Sequence, residues 1–190
     1  MPLGVYRRGF KANPDGAGFM WSDGNRLHIR KGYMDFKGFL KALVRVPNTL
    51  PCAVHFRWGT GGRKDKSNCH PFRLGVDGGI IHNGILPDKL ASSCEVRSDT
   101  HNFVRDYLHQ EYEKVGLDAV ATLEGQIGYN KLVAMDRHGC YVIVGESQGY
   151  WREGVWYSND GGHKSTYPYS GTFKEYSRRK GWSQWGAFDN

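Results

Sequence analysis

Closely spaced turn signals divide the chain into short segments, and this limits the folds that it can adopt. The run NPDG at residues 13–16 and the run SDGN at residues 22–25 have compositions typical of tight turns. Residues 17–21 and 26–31 flank the second turn, and Leu27 and Ile29 fall on one face of the returning segment. This spacing predicts a β-hairpin near the start of the fold.

Apolar patterns with helical spacing lie among the predicted strands. Residues 2–11 are predicted to form a helix, and Asp35 is predicted to cap a second helix that Pro47 ends. The run SDT at residues 98–100 is predicted to cap a longer helix, and residues 118–123 to form a short one. The remaining predicted strands are residues 52–58, 72–76, 79–82, 131–136, 141–146 and 155–158. Because strands follow one another through hairpins, this order favours an α+β fold with largely antiparallel sheets.

Length and composition indicate one folded domain with a tail. We assign residues 1–158 to the domain and residues 159–190, which show no periodicity, to a basic, aromatic-rich C-terminal tail. No apolar run approaches the roughly 20 residues of a membrane span, and no apolar signal stretch follows the basic N-terminal residues. We therefore expect a cytoplasmic protein without membrane contact.

The cysteines give no sign of a disulfide framework or a metal site. Four are scattered along the chain without a CxxC pair: Cys52, Cys69, Cys94 and Cys140. Without an export signal, this favours reduced thiols. A zinc site would have to combine unevenly spaced ligands: Cys52, His55, Cys69 and His70. Zinc ligands usually come in tight pairs on turns, so we expect no metal and no cofactor.

The net charge of +7 raises the question of nucleic-acid binding. The basic residues occur in small groups along the chain, which is typical of solvated surface. Around the last group, at residues 174–180, aromatic side chains interleave with basic ones, and single strands stack on such side chains. The same aromatics could equally pack the tail onto the domain. Nucleic-acid binding through residues 164–185 is therefore kept as an alternative only.

Polar residues and glycines follow two of the predicted strands. The run HFRWGTGG at residues 55–62 carries Arg57 and Thr60 at a strand end. An arginine fork there suits a carboxylate, and glycines let backbone NH groups approach a ligand, although a surface arginine before a flexible turn explains the same pattern. The run IIHNGI at residues 80–85 ends in Asn83 and Gly84. This pair is either a common tight turn or an oxyanion hole made by the Asn83 amide and the Gly84 NH.

Two further segments carry polar residues in a similar setting. The run NCHPF at residues 68–72 contains His70 before a proline, and such a histidine is usually structural. In the run SDT, a helix N-cap explains Asp99 as well as a substrate ammonium anchor does. Each segment is weak when taken alone.

In this order, however, the segments resemble one family. With NPDGAGFM at residues 13–20, the five motifs resemble the class II, N-terminal-nucleophile (Ntn) glutamine amidotransferases, in particular compact stand-alone phage and bacterial members, over residues 1–158. The resemblance implies a four-layer α/β/β/α sandwich with largely antiparallel sheets. It also implies hydrolysis of glutamine to glutamate and ammonia through a thioester on an N-terminal cysteine, whose α-amino group is the general base.

The resemblance implies a role for each matched residue. Arg57, assisted by Thr60, would hold the substrate α-carboxylate, and Asp99 would hold the α-ammonium group. Asn83 and Gly84 would form the oxyanion hole. Two side chains would shape the pocket: Trp58 and His70. The ammonia acceptor, a synthase subunit or another partner, is not implied by these residues.

The chain departs from the family at its start. Members begin with Met-Cys, whereas this sequence begins with MPL, and no internal cysteine has a free α-amino group. The residues before Asn13 are predicted to be helical, so the first strand of the family fold is also missing. Either the start is misassigned or truncated and a cysteine-containing strand lies upstream of Met1, or the domain is an inactive module that binds an amino acid or a host protein. We favour the first explanation because every pocket residue is present.

Overall fold

The computed structural model describes residues 3–160, whose helices and antiparallel sheets make a mixed α+β fold. This confirms the predicted α+β class with antiparallel sheets, whereas the four-layer sandwich stays a prediction. Of the predicted C-terminal tail, residues 161–190 lie outside the described residues. No helix within residues 3–160 combines the length and apolarity that crossing a bilayer requires.

The helices and strands lie close to their predicted positions. The helices are α1 (Leu3–Ala12), α2 (Phe36–Leu43), α3 (Asp99–Phe103), α4 (His109–Val115) and α5 (Asp118–Ala121), and a π-helical segment (Val104–Leu108) joins α3 to α4. The strands are β1 (Ala17–Ser22), β2 (Leu27–Tyr33), β3 (Cys52–Phe56), β4 (Phe72–Leu74), β5 (Gly78–Asn83), β6 (Lys131–Met135), β7 (Tyr141–Val144), β8 (Tyr150–Arg152) and β9 (Val155–Tyr157). Strand β8, which pairs with β9, was not predicted.

Two helix starts follow the predicted capping chemistry. The Asp35 carboxylate accepts a hydrogen bond from the Gly38 NH at 2.8 Å at the start of α2. The Ser98 hydroxyl accepts one from the His101 NH at 3.2 Å at the start of α3. Each cap satisfies an NH group that the first helical turn cannot pair internally. Helix α2 ends at Leu43, before the proline that was expected to end it.

The strands form two main antiparallel sheets and one hairpin. The first sheet has the order β2-β1-β3, the second β4-β5-β6-β7, and β8 pairs with β9. Strand β3 ends at Phe56, two residues earlier than predicted. At Arg57 the backbone pairs with the first turn instead: the Arg57 NH donates to the Gly16 carbonyl, and the Arg57 carbonyl accepts from the Asp15 NH.

Three apolar clusters hold these layers together. The largest packs the second sheet against α3, α4, α5 and the π-helical segment, around Leu108, Val120 and Leu132. Another packs α1 and α2 on the first sheet around Phe39, which is fully buried. The smallest lies between the sheets: Met20, Leu27, Ile81 and Met135. Burying one such side chain contributes about 1.5–3 kcal/mol, so these contacts fix how the sheets and helices stack.

The first sheet is narrower than the second, and this leaves a large groove. Strand β3 pairs with β1 on one side, and no other strand within residues 3–160 pairs with its second edge. Beside that edge lies a cavity of about 750 Å³, which we call the β3 groove. Its walls include β3, Val133 and Ile143 of the second sheet, and Leu3 and Tyr6 of α1. The groove therefore borders both the start of α1 and the free edge of a sheet.

Candidate functional site

Arg57 lies directly after β3 and is only 4% exposed. Its backbone NH donates to the Gly16 carbonyl at 2.8 Å, so the first turn of the chain fixes its position. One guanidinium nitrogen, Nη2, donates to the Gly61 carbonyl at 2.9 Å. The other, Nη1, is buried and has no hydrogen-bond partner among the described residues. A buried cationic donor without a partner is a group that a bound anion would satisfy.

Asp15 braces the loop that follows Arg57. Its carboxylate accepts a hydrogen bond from the Gly59 NH at 2.8 Å and forms a salt bridge with Lys64 at 3.0 Å. Burial opposes the charged form of Asp15, but the hydrogen bonds from Gly59 and Lys64 outweigh it and lower the pKa of this carboxyl. The NPDG turn thus holds the loop that carries Arg57 and Thr60.

Thr60 and Asp99 line one cavity of about 250 Å³, which we call the Asp99 pocket. Its walls are Thr60, Gly61, Ile85, Leu86, Asp88, Ala91, Ser92, Ser93 and Asp99. The Asp99 carboxylate accepts hydrogen bonds from the Leu86 NH at 2.7 Å and from the Thr100 NH at 2.6 Å. The bond from Leu86 fixes the Asp99 carboxylate to the segment that follows Gly84. Helix capping at this site falls to Ser98, so Asp99 is not needed as the cap.

Asn83 and Gly84 end β5, and the Asn83 side chain turns to the other cavity. Asn83 lines the β3 groove, and its Nδ2 donates to the Ser158 hydroxyl at 2.8 Å. Gly84 has φ +136°, and a Cβ added there would collide with the side chain of Asn130. Only glycine adopts this backbone without strain. The predicted oxyanion pair therefore lies on the segment between the two cavities: Asn83 lines the groove, Gly84 lines neither cavity, and Ile85 lines the Asp99 pocket.

His70 and Trp58, predicted to shape the pocket, do not line it. His70 is buried, and its Nδ1 accepts a hydrogen bond from the His82 backbone NH at 3.0 Å. Trp58 is 63% exposed, with the Lys64 ammonium 6.0 Å from its ring centre. His70 thus supports β5 from within the fold, whereas Trp58 lies on the surface near the same loop.

Three histidines form a stack beneath the site: His70 and His82 are buried, and His55 is half-buried. The rings of His55 and His70 lie 4.3 Å apart, and those of His70 and His82 lie 6.3 Å apart. Burial, together with the nearby His82 and Arg57, lowers the pKa of His55 to about 3. Burial also lowers the pKa values of His70 and His82. All three imidazoles are therefore neutral at pH 7.

Two buried asparagines hold the site together, and no role was predicted for either. Asn68 donates to the Val96 carbonyl at 2.7 Å and accepts from the Ser98 NH at 3.0 Å, so it joins the NCHPF segment to the start of α3. Asn130 accepts a hydrogen bond from His82 Nε2 at 2.8 Å. Asn68 lies within a matched motif, but Asn130 lies between predicted elements, where no pattern in the sequence marks it.

None of the four thiols lines the Asp99 pocket. Within residues 3–160 no cysteine forms a disulfide, and Cys69 is fully buried. Burial raises the pKa of Cys52, on β3, to about 12, so this group is not a nucleophile at neutral pH. Within residues 3–160, no group of three or more histidine, cysteine or acidic side chains could hold a metal ion.

Comparison with known proteins gives distant similarity to one kind of enzyme. No family model matches the chain. Over 130 residues it is 25% identical to the glutamine–fructose-6-phosphate aminotransferases (isomerizing) of Mycobacterium tuberculosis H37Rv and Mycobacterium bovis, a match that covers 66% of this chain and 18% of each relative. Over 80 residues it is 35% identical to the Pyrobaculum aerophilum enzyme of the same name, which covers 37% of this chain and 13% of the relative. The chain thus spans less than a fifth of these relatives, whose name includes glutamine as a reactant.

Proposed function

We propose that this chain binds glutamine and provides the substrate site of a class II, N-terminal-nucleophile glutamine amidotransferase. The observation that carries the proposal is a buried cation next to a pocket that a fixed carboxylate lines. Arg57 is buried, its Nη1 has no hydrogen-bond partner among the described residues, and its Nη2 donates to the carbonyl of Gly61, which lines the Asp99 pocket together with Asp99. The distant similarity to enzymes named for glutamine supports the same substrate.

The two charges fit the two ends of a free amino acid. Arg57 Nη1 would donate to the α-carboxylate, and the Thr60 hydroxyl would assist it. The α-ammonium group would pair with Asp99, whose orientation is fixed by the NH groups of Leu86 and Thr100. Each hydrogen bond to a charged group contributes about 1.5–3 kcal/mol, so together they would select an α-amino acid over a simple amide.

The side-chain amide of glutamine would then reach Asn83 and Gly84, on the segment between the two cavities. There the Asn83 Nδ2 and the Gly84 NH would donate to the carbonyl oxygen as it becomes an oxyanion. A thiolate would attack the carbonyl carbon, the carbon–nitrogen bond would break, and ammonia would leave with a proton. Water would hydrolyse the resulting thioester to glutamate and restore the thiol. Loss of one oxyanion donor typically costs about 3–4 kcal/mol of transition-state stabilisation.

We further propose that the nucleophilic cysteine belongs to a strand that precedes α1 and pairs with β3. No strand within residues 3–160 pairs with the second edge of β3, and the apolar β3 groove would bury one face of a strand added there. Leu3, at the start of α1, lines this groove, so a strand leading into α1 would run along it. With that strand, the helices and sheets would complete the four-layer α/β/β/α arrangement.

Binding without turnover is a second candidate, because none of the described thiols lines the Asp99 pocket. In that case the chain would recognise an amino acid, or a synthase subunit or host protein would use the site. Ammonia release separates the two candidates. The test uses the protein expressed from its own gene, with its N-terminal residue identified by intact-mass spectrometry. We predict that this protein releases ammonia from L-glutamine. Changing an N-terminal cysteine to alanine is predicted to abolish the activity.

Calorimetric titration tests the substrate. L-Glutamine is predicted to bind, and D-glutamine and glutaramate, which lacks the α-amino group, are predicted to bind at least tenfold more weakly (about 1.4 kcal/mol). Equal affinity for all three would contradict a site built around both charged ends. No binding of any of them, in the protein made from its own gene, would remove the glutamine proposal altogether.

A further inference from the structure

Beneath the Asn83–Gly84 turn, a chain of buried hydrogen bonds links residues that are far apart in sequence. His82, in β5, is 2% exposed, and both ring nitrogens have partners. Nε2 lies 2.8 Å from Asn130 Oδ1, and Nδ1 lies 2.6 Å from the Thr100 hydroxyl. The Thr100 NH donates to Asp99, and Asp99 accepts also from the Leu86 NH. The chain thus starts at Asn130 and ends at the proposed ammonium anchor.

The direction of each bond follows from Asn130. Its Nδ2 donates to the Ile127 carbonyl, so its Oδ1 is the atom that faces His82. His82 must then donate from Nε2. Because burial lowers the pKa of His82, the ring is neutral and Nδ1 carries no proton. The Thr100 hydroxyl lies 2.6 Å from Nδ1 and 3.2 Å from Asp99 Oδ1, and its single proton goes to Nδ1, the nearer of the two acceptors. One amide therefore selects the tautomer of His82 and orients Thr100.

Asn130 also touches the second functional element of the proposed site. Gly84 packs so closely on Asn130 that a Cβ at Gly84 would collide with Oδ1. The position of the Gly84 NH, one of the two proposed oxyanion donors, is thereby tied to the Asn130 side chain. Asn130 is itself 6% exposed, so its amide has little freedom to turn away.

We infer that Asn130 is a positioning residue for this site, which holds the Gly84 NH directly and the Asp99 carboxylate through His82 and Thr100. The inference rests on the proposed function. A positioning role for Asn130 requires one particular tautomer of His82. It also requires that variants lose more ligand affinity than their lowered stability explains, which a merely structural role does not. A buried polar chain with every member paired is the kind of network that fixes one geometry.

The first test reads the tautomer directly. In the protein labelled with ¹⁵N-histidine, the His82 ring is predicted to carry its proton on Nε2 at pH 7, with Nδ1 unprotonated. Asn130→Asp places a carboxylate at Nε2, and His82 in that variant is predicted to stay protonated on both nitrogens to higher pH. A proton on Nδ1 alone in the unaltered protein would overturn the inference, whatever the glutamine result.

The second test measures binding in two variants that break the chain at different links. Asn130→Ala and Thr100→Val are each predicted to weaken L-glutamine binding about tenfold or more. Thr100→Val removes the hydroxyl with little change of volume, so it serves if Asn130→Ala does not fold. Val144→Ala, a buried change in the same apolar cluster as Leu132, is the control: it should lower stability and leave the affinity unchanged.

The outcomes separate the two proposals. If the unaltered protein does not bind L-glutamine, the proposed function fails and the role of Asn130 fails with it. If it binds, and a folded Asn130→Ala or Thr100→Val binds equally well, the glutamine site stands and the positioning role is wrong. An affinity loss in Val144→Ala that matches the loss in Thr100→Val would likewise reduce Asn130 to a structural residue.

Discussion

The two cavities of this fold differ in how completely their walls are built. The Asp99 pocket, of about 250 Å³, has walls that the hydrogen bonds of Asp99 and Asn68 hold in place. The β3 groove, of about 750 Å³, borders a strand edge with no partner among residues 3–160. Under the proposed function, the described residues would supply the walls around a small polar ligand, whereas the groove would take up a backbone partner.

Substitution of two neighbouring isoleucines is expected to give the largest difference in stability between the two regions. Ile80 and Ile81 follow each other in β5 and face opposite sides: Ile80 packs in the cluster with α3–α5, and Ile81 lies between the sheets and lines the groove. We expect Ile80→Ala to lower the free energy of unfolding by about 2–5 kcal/mol and Ile81→Ala by about 2 kcal/mol, because neighbours can relax into the groove. Urea denaturation of residues 1–190 measures both. An equal loss in the two variants would mean that the groove is filled.

Substitution of Arg57 tests whether the Asp99 pocket and its neighbouring loop bind the carboxylate of the ligand. Arg57→Gln removes the buried charge, and we expect about a hundredfold loss of L-glutamine affinity, or about 2.7 kcal/mol. The matched control is Arg63→Gln, which removes the same charge from an exposed side chain in the same loop and keeps the backbone bond from the Arg63 NH to the Val96 carbonyl. Calorimetry should give an unchanged affinity for the control. A comparable loss in both variants would point to the overall charge of the loop instead of a fixed carboxylate contact.

The elements of the fold were largely predictable because their signals are local. Helix caps such as Asp35 and the first hairpin depend on neighbours within a few residues, and the structure has them where the patterns predicted. The end of β3 was predicted two residues late, because the pairing of Arg57 with Asp15 and Gly16 joins segments more than forty residues apart. Long-range pairing of this kind leaves no periodicity in the sequence.

The candidate site was predictable only in part for the same reason. Thr60 and Asp99 lie in motifs, and they line one pocket. The Asn83 amide faces the groove, and Trp58 and His70 lie outside the pocket, which motif order could not reveal. Asn130 has no motif at all, and only the fold brings it against Gly84 and His82. The roles assigned to these residues stay predictions until ligand binding is measured.

The stacked histidines border the groove, since His55 lines it and stacks on the buried His70. The pKa of His55 is about 3 in the folded protein and about 6.5 when unfolded, so between these values the unfolded chain binds more protons. Stability is therefore fully present above pH 6.5 and falls as the pH drops. From pH 6.5 to pH 5 we expect His55 alone to cost about 2 kcal/mol, at about 1.4 kcal/mol per pH unit.

Urea denaturation at pH 7, 6 and 5 measures this slope. His55→Gln should flatten it by the contribution of one histidine, while His70 and His82 keep their own contributions in the same direction. Val133→Ala, which changes a side chain of the same groove that does not titrate, is the control and should lower stability without changing the slope. If a strand that precedes α1 fills the groove in the protein made from its own gene, burial of His55 deepens and the slope stays at least as steep. A slope that disappears there would indicate that the added segment brings an acid to His55.

The smallest expected effect comes from the cap of α2, whose loss should lower stability without changing the affinity for L-glutamine. Asp35 caps α2 through the Gly38 NH, and the far end of that helix borders the groove at Leu43 and Val44. Asp35→Ala is expected to cost about 1 kcal/mol of stability, whereas Asp35→Asn keeps a cap and should cost less. Neither change touches the Asp99 pocket, so the L-glutamine affinity should be the same in both variants and in the unaltered protein. If the affinity for L-glutamine fell together with stability in Asp35→Ala and Asp35→Asn, the pocket would not be a preformed site. The difference between a complete pocket and an open groove would then be wrong.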